Sequence, residues 1–156
     1  QAADPNRFRI LQSTHLGGCR FAASLVVLPQ RARYSRLEPS QVRDFLTCLE
    51  QGIVYLPAYR GNPSYDAPAQ TAEIALLEWA GQRGIEGEVT LHKTNTEREI
   101  STPEQVHFHA MIGTQRATVT VERPEFAVNT RCVTIGEPEG TKNVARWVAT
   151  SVLAED

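Results

Sequence analysis

Residues 13–22 read STHLGGCRFA and lead directly into the apolar run ASLVVLP at 23–29. This stretch places an imidazole, that of His15, and a thiol, that of Cys19, four positions apart across two glycines. Glycine lets a backbone come close to a bulky group. Imidazole and thiolate are ligands that suit soft or borderline metals, including the iron of iron–sulfur clusters. The stretch therefore predicts half of a metal or cluster site, because four ligands are normally needed and only two lie here.

The size and charge of the chain narrow the class of protein. Its 156 residues predict one domain, or one domain with an appendage, and a formal net charge of -2 gives no reason to expect nucleic acid or an anionic membrane as a partner. No apolar run is long enough to span a bilayer. The first residues lack the basic and apolar regions of an intact signal peptide. We therefore expect a soluble protein, with a position at the periphery of a membrane complex left open.

The cysteines indicate the redox compartment. Cys19, Cys48 and Cys132 are an odd number and form no CxxC pair, which argues against a disulfide scaffold, a zinc ribbon and a self-contained dithiol redox site. The cytoplasm or another reducing compartment is the expected location. We interpret Cys48 as a packing residue of a helix, since a free cysteine usually behaves as a small apolar group.

Hydrophobic periodicity divides the chain into a mixed first part and a mostly β second part. Residues 1–84 combine strands with two helices, and residues 85–156 contain strands alone. The short turn at 30–32 (QRA) and the glycine-containing connection at 113–115 (GTQ) predict two hairpins. The predicted strands lie at 7–14, 22–29, 33–37, 86–93, 105–113, 116–123, 128–135 and 144–153, and the predicted helices at 39–51 and 67–83.

The chain resembles the sucrase/ferredoxin-like family, whose thioredoxin-like ferredoxin domain holds a [2Fe-2S] cluster. In that family the loop reads Ser-His-x-Gly-Gly-His-x-Phe-Ala before an apolar strand that ends at proline, and residues 13–29 follow this pattern. Tyr59-Arg60-Gly61 and the helix start at 69–73 (AQTAE) match two further family motifs. The segments 131–132 and 144–153 give looser support.

The resemblance implies the fold class and its cofactor. We expect an α+β chain with a partial thioredoxin-like layer, the C-terminal half of the ferredoxin domain with its following helix, over residues 1–84. A small antiparallel β extension would follow over residues 85–156. By position, His15 and Cys19 are implied as cluster ligands, with Gly17, Gly18 and Arg20 lining the cluster. Arg20 would balance its negative charge.

Two departures from the family pattern affect this prediction. Cys19 replaces the second loop histidine, and a thiolate in that place should lower the reduction potential. The upstream segment that carries the family's two cysteine ligands is not present in these residues. The remaining ligands are therefore expected from a missing or separate segment, which implies an obligate protein partner that supplies the other half of the fold.

Several alternatives stay open at this point. The chain is either an electron-transfer subunit that serves a redox partner protein, or a cluster-free accessory subunit that uses its half-domain as a docking platform, with the loop at 15–19 as a relic. A redox-sensing thiol at Cys19 is a weaker third hypothesis. Neither main alternative is a catalyst. His107 and His109 also form an HxH pair on one strand face, which either binds a metal or is a solvated polar face.

Overall fold

The structure, a computed structural model, describes residues 8–14, 16, 22–94, 104–129 and 140–155. Within these residues the chain forms two α-helices and eight β-strands, and every pair of strands is antiparallel. The α+β class predicted from the sequence is therefore confirmed. The thioredoxin-like assignment of the first part stays a prediction.

The first part of the chain is built on a hairpin. Strands β1 (Ser24–Val27) and β2 (Ala32–Ser35) pair antiparallel, as predicted. A short 3₁₀ helix over Pro39–Gln41 leads into helix α1 (Val42–Glu50), and a second one covers Leu56–Ala58. The aromatic rings of Tyr34, Phe45 and Tyr59 lie at the centre of the core that these elements enclose.

Helix α2 (Ala67–Gly81) begins at a strong local signal. The side chain of Asp66 caps it by accepting a hydrogen bond from the Ala69 amide at 3.0 Å, and a proline occupies its first turn. The helix contributes to two cores: Ala72, Leu76 and Ala80 face the large sheet, whereas Ile74 packs against the aromatic core of the first part. This helix therefore joins the two parts of the chain.

The second part is a four-stranded antiparallel sheet in the order β3-β4-β5-β8, with a separate two-stranded sheet of β6 and β7. Alternate residues of β4 and β5 are buried against α2, as the period of two in a half-buried strand requires. The bounds are β3 (Val89–Lys93), β4 (Gln105–Ile112), β5 (Gln115–Glu122), β6 (Glu125–Asn129), β7 (Thr141–Ala145) and β8 (Val148–Glu155).

Three predicted strands differ from the observed ones. The strand predicted at 128–135 begins earlier, at Glu125, and residues 130–135 lie outside the described residues. Residues 8–14 form no strand, and the side chains of Ile10 and Leu11 are 80% and 76% exposed. The predicted strand at 144–153 is divided between β7 and β8, because the chain leaves the ladder at Arg146, whose amide donates to the Pro124 carbonyl at 3.0 Å. Among the described helices, none is long and apolar enough to cross a membrane.

Candidate functional site

The predicted ligands and the residues predicted to line the cluster lie outside the described residues. This applies to His15, Gly17, Gly18, Cys19 and Arg20, so their roles stay predictions. The structure does describe Leu16, between the two predicted ligands, and the chain from residue 22 onward. The described part of the candidate site consists of Leu16 and of the elements that contact it or follow it in the chain.

The Tyr-Arg-Gly segment lies directly beside the hairpin that follows the loop. The amide of Arg60 donates to the Arg33 carbonyl at 2.8 Å, and the amide of Arg33 donates to the Gly61 carbonyl at 3.3 Å. A guanidinium nitrogen of Arg33, Nη2, lies 3.5 Å from the Leu16 carbonyl oxygen. Two motifs that are far apart in the sequence are thus in contact with the same residue, Arg33.

A buried carboxylate holds the same segment against helix α2. The hydroxyl of Tyr59 donates to Oε1 of Glu73 at 3.0 Å, and the amide of Asn62 donates to Oε2 at 3.0 Å. The Glu73 side chain is only 7% exposed. Because both of its oxygens accept hydrogen bonds from residues that flank Arg60 and Gly61, it fixes both ends of the segment.

Burial shifts the pKa values of both Glu73 and Tyr59. It raises the pKa of the Glu73 carboxyl above its usual range, although the hydrogen bonds from Asn62 and Tyr59 act in the opposite direction. Burial and the neighbouring Glu73 carboxylate also raise the pKa of the Tyr59 hydroxyl. Tyr59 therefore keeps its proton and acts as the donor to Glu73.

A pH dependence of stability follows from the raised pKa of Glu73. The folded protein binds this proton more tightly than the unfolded chain does, so Glu73 stabilises the fold most below the ordinary glutamate pKa of about 4.3. That contribution is lost as the pH rises through the folded pKa. We expect the free energy of unfolding of the wild type, measured relative to Glu73→Gln by urea titration, to fall over this range and then level off. A difference that is constant with pH, or that rises, would contradict the assignment.

Gly61 is positioned so that helix α2 can approach the segment closely. Its φ is +88°, and a Cβ at this position would lie 3.0 Å from Cβ of Gln70. Gln70 itself donates from Nε2 to the Tyr65 carbonyl at 2.8 Å. The glycine of the Tyr-Arg-Gly motif therefore has a steric role in packing the segment on α2.

The other sequence candidates lie elsewhere in the fold. His107 and His109 share one face of β4, opposite the buried Phe108, as predicted. Nδ1 of His107 lies 3.1 Å from Oγ1 of Thr120, and Nδ1 of His109 lies 3.0 Å from Oε1 of Glu155. Among the described side chains, no group of three or more His, Cys, Asp or Glu could hold a metal ion. The solvated-face interpretation fits these contacts.

Cys48 is a half-buried free thiol on α1, in agreement with its predicted packing role, whereas Cys132 lies outside the described residues. The sequence analysis placed Glu73 in the motif at 69–73 but gave it no role in the site. One signal could have found it: together with Ala69, Ala72, Leu76 and Ala80, it occupies the apolar stripe of α2. A carboxylate on such a stripe must be paired or hydrogen-bonded, because burying a bare charge is costly.

These features define an α+β protein in which a hairpin, a Tyr-Arg-Gly segment and helix α2 are held together, with Arg33 of the hairpin in contact with Leu16. A scan against protein-family models and searches of curated proteins and of solved structures find no match to this chain. The resemblance to the sucrase/ferredoxin-like family therefore depends on the motifs quoted above.

Proposed function

We propose that this chain is an electron-transfer subunit that carries single electrons through a [2Fe-2S] cluster, with His15 and Cys19 as two of its ligands. The observation that carries the proposal is the contact of Arg33 with both Leu16 and the segment at 60–61. Leu16 from the first motif of the resemblance and the Tyr-Arg-Gly segment from the second thus share the neighbour Arg33, although they lie more than forty positions apart in the sequence.

The two predicted ligands are chemically suited to a [2Fe-2S] cluster. Thiolate and neutral imidazole are both established ligands of [2Fe-2S] centres. The loop supplies one of each, and the remaining two ligands are taken from a separate or missing segment. Gly17 and Gly18 leave room for a bulky group because they have no side chains, and Arg20 supplies a positive charge beside the site. When bound, the cluster accepts and releases one electron at a time.

The residues of this chain then have roles in binding and tuning and none in bond chemistry. Cys19 in place of the family's histidine adds a negative charge to the ligand set, which favours the oxidised state and lowers the reduction potential. Glu73 and Tyr59 hold the Tyr-Arg-Gly segment in place at the border of the loop. The proposed function is therefore that of a carrier and not of an enzyme.

A protein partner is part of the proposal. Ile10, Leu11 and Leu28 are each more than 70% exposed, and they precede or follow the predicted ligand loop. Among the described strands, β1 pairs with β2 alone. Exposed apolar side chains and a strand edge are features of surfaces that bind another chain. The partner would supply the remaining ligands and the other half of the fold.

The same surface also favours a second candidate, an accessory subunit without a cluster. That candidate needs the partner-binding surface but neither ligand. The two functions differ in one measurable property, which is the iron and sulfide content of the protein isolated with its partner.

The decisive experiment is anaerobic purification of the native protein with its partners, followed by visible absorption and EPR spectroscopy and by iron and sulfide assays. We expect charge-transfer absorption and a rhombic EPR signal after reduction with dithionite. Cys19→Ser and His15→Ala should each shift or abolish both signals.

The matched controls change the same residue types outside the loop. Cys48→Ser on α1 and His107→Ala on β4 should leave the spectra unchanged. An iron-free preparation that still holds its partners would contradict the carrier and support the accessory subunit. Equal losses in the loop variants and the control variants would show that the spectra report folding and not ligation.

A further inference from the structure

The side chain of Arg33 connects the hairpin to the stretch that carries the predicted ligands. Its Nη2 lies 3.5 Å from the carbonyl oxygen of Leu16, which is seventeen positions earlier in the chain. Leu16 directly follows His15, and its carbonyl belongs to the peptide group that leads into Gly17. The contact therefore falls on the backbone between the two predicted ligand positions, His15 and Cys19.

The backbone from which this side chain projects is fixed on both sides. On one side, Arg33 is paired with Val26 of β1 in the hairpin register. On the other side, its amide donates to the Gly61 carbonyl at 3.3 Å and its carbonyl accepts from the Arg60 amide at 2.8 Å. Because the backbone is already ordered, only the side-chain torsions of Arg33 have to be restricted when the guanidinium contacts Leu16.

The restraint on Arg33 extends to helix α2. Glu73 accepts hydrogen bonds from the Tyr59 hydroxyl and the Asn62 amide, each at 3.0 Å. These two donors flank the pair of residues that hold the backbone of Arg33. A continuous series of contacts thus runs from a buried carboxylate on α2, through the Tyr-Arg-Gly segment and Arg33, to the carbonyl of Leu16.

We propose that Arg33 is a positioning residue for the predicted ligand loop at 15–19. Its guanidinium holds the Leu16 carbonyl and so restrains the backbone between the two predicted ligands. Its effect on electron transfer rests on the proposed function. A positive charge beside a group that gains an electron favours the reduced form. Arg33 would therefore raise the reduction potential, in the direction opposite to the effect of Cys19.

The chemistry of arginine allows these two effects to be separated. A guanidinium group offers five N–H donors in a planar fork, whereas the lysine ammonium is a point charge on a flexible stem. Glutamine offers an amide donor without a charge. Arg33→Gln therefore removes the charge together with the fork, and Arg33→Lys keeps the charge but removes the fork.

The first test measures hydrogen exchange by mass spectrometry in the purified full chain. Arg33→Gln should speed exchange about threefold in peptides that span residues 14–20, as expected for the loss of a single exposed hydrogen bond. Arg33→Lys should give a smaller increase. The matched control is Arg31→Gln, because Arg31 is exposed in the turn of the same hairpin and its Nη1 contacts Oγ of Ser64 at 3.4 Å. This control should leave exchange at 14–20 unchanged.

The second test measures the reduction potential of the iron-containing protein isolated with its partner. Arg33→Gln should lower the potential, because the positive charge that favours the reduced form is removed. Arg33→Lys should have a potential closer to that of the wild type, because the charge is retained. A role of Arg33 limited to the stability of the hairpin would not make the potential follow the charge.

The results that overturn the proposal are distinct from those that overturn the proposed function. Unchanged exchange at 14–20 in Arg33→Gln, or an equal increase in Arg31→Gln, would show that Arg33 does not position the loop. An equal increase across residues 24–35 would show that Arg33 stabilises the hairpin as a whole. A potential that is the same in Arg33→Gln and the wild type would overturn the effect of its charge. An iron-free protein would contradict the carrier, whereas the exchange measurement would still decide the positioning role.

Discussion

Leu76→Ala should lower the free energy of unfolding by about 4 kcal/mol, within the range observed for large-to-small changes at buried leucines. Leu76 is fully buried at the centre of α2 and belongs to the core that α2 forms with the large sheet. Two contributions make up this loss of stability. The removed atoms no longer contribute their favourable free energy of transfer from water into the core, and the cavity that they leave is unfavourable. Urea unfolding followed by circular dichroism measures the change directly.

A matched control lies on the four-stranded sheet against which α2 packs. Leu153 on β8 is 62% exposed, so Leu153→Ala should change stability by no more than about 0.5 kcal/mol. Since α2 also carries Glu73 and Gln70, loosening the helix should increase amide hydrogen exchange at residues 59–62 in Leu76→Ala alone. Similar losses of stability in the two variants would contradict the placement of Leu76 in the core.

The helices could be predicted because their signals are local. Pro39 and Asp66 mark helix starts, and the apolar spacing in each helix is visible in the sequence. What the spacing did not reveal is that α2 has two apolar sides. Ile74 packs on the first core and Leu76 on the second.

The strands were less predictable because each needs a partner from elsewhere in the chain. The alternation at 7–10 is the same pattern that forms β4, yet residues 8–14 pair with no described strand. The run at 144–153 looked continuous, but Arg146 and Trp147 leave the ladder between β7 and β8. Periodicity indicates that a segment can form a strand and does not identify the strand with which it pairs.

The candidate site was predictable only in part, for the same reason. Motif resemblance pointed to Tyr59-Arg60-Gly61 and to the segment at 69–73. A glutamate on a helix ordinarily lies in solvent, so the motif did not indicate that Glu73 is buried and accepts hydrogen bonds from Tyr59 and Asn62. The opposition of Arg33 and Arg60 depends on a single bridge between Tyr34 and Tyr59. A bridge between residues twenty-five positions apart follows from tertiary packing, which no local pattern encodes.

Gly61→Ala should lower the free energy of unfolding by about 3 kcal/mol. About 1 to 2 kcal/mol comes from placing a side chain at positive φ, and a similar amount from overpacking against Gln70. Gly52 provides a control for the first contribution, since its φ is +72° and a Cβ there meets nothing within 4 Å. Gly52→Ala should therefore cost only about 1 kcal/mol, and the difference between the variants isolates the contact with α2.

The local consequence distinguishes these two glycines further. Gly61 accepts the amide hydrogen bond of Arg33, so a shift of its backbone away from Gln70 should displace Arg33 from Arg60 and from Leu16. Gly61→Ala should then increase amide hydrogen exchange at Arg33 and Arg60, whereas Gly52→Ala should not. If both alanine variants lose the same stability and these amides exchange equally in both, the Tyr-Arg-Gly segment is not held by its contact with α2.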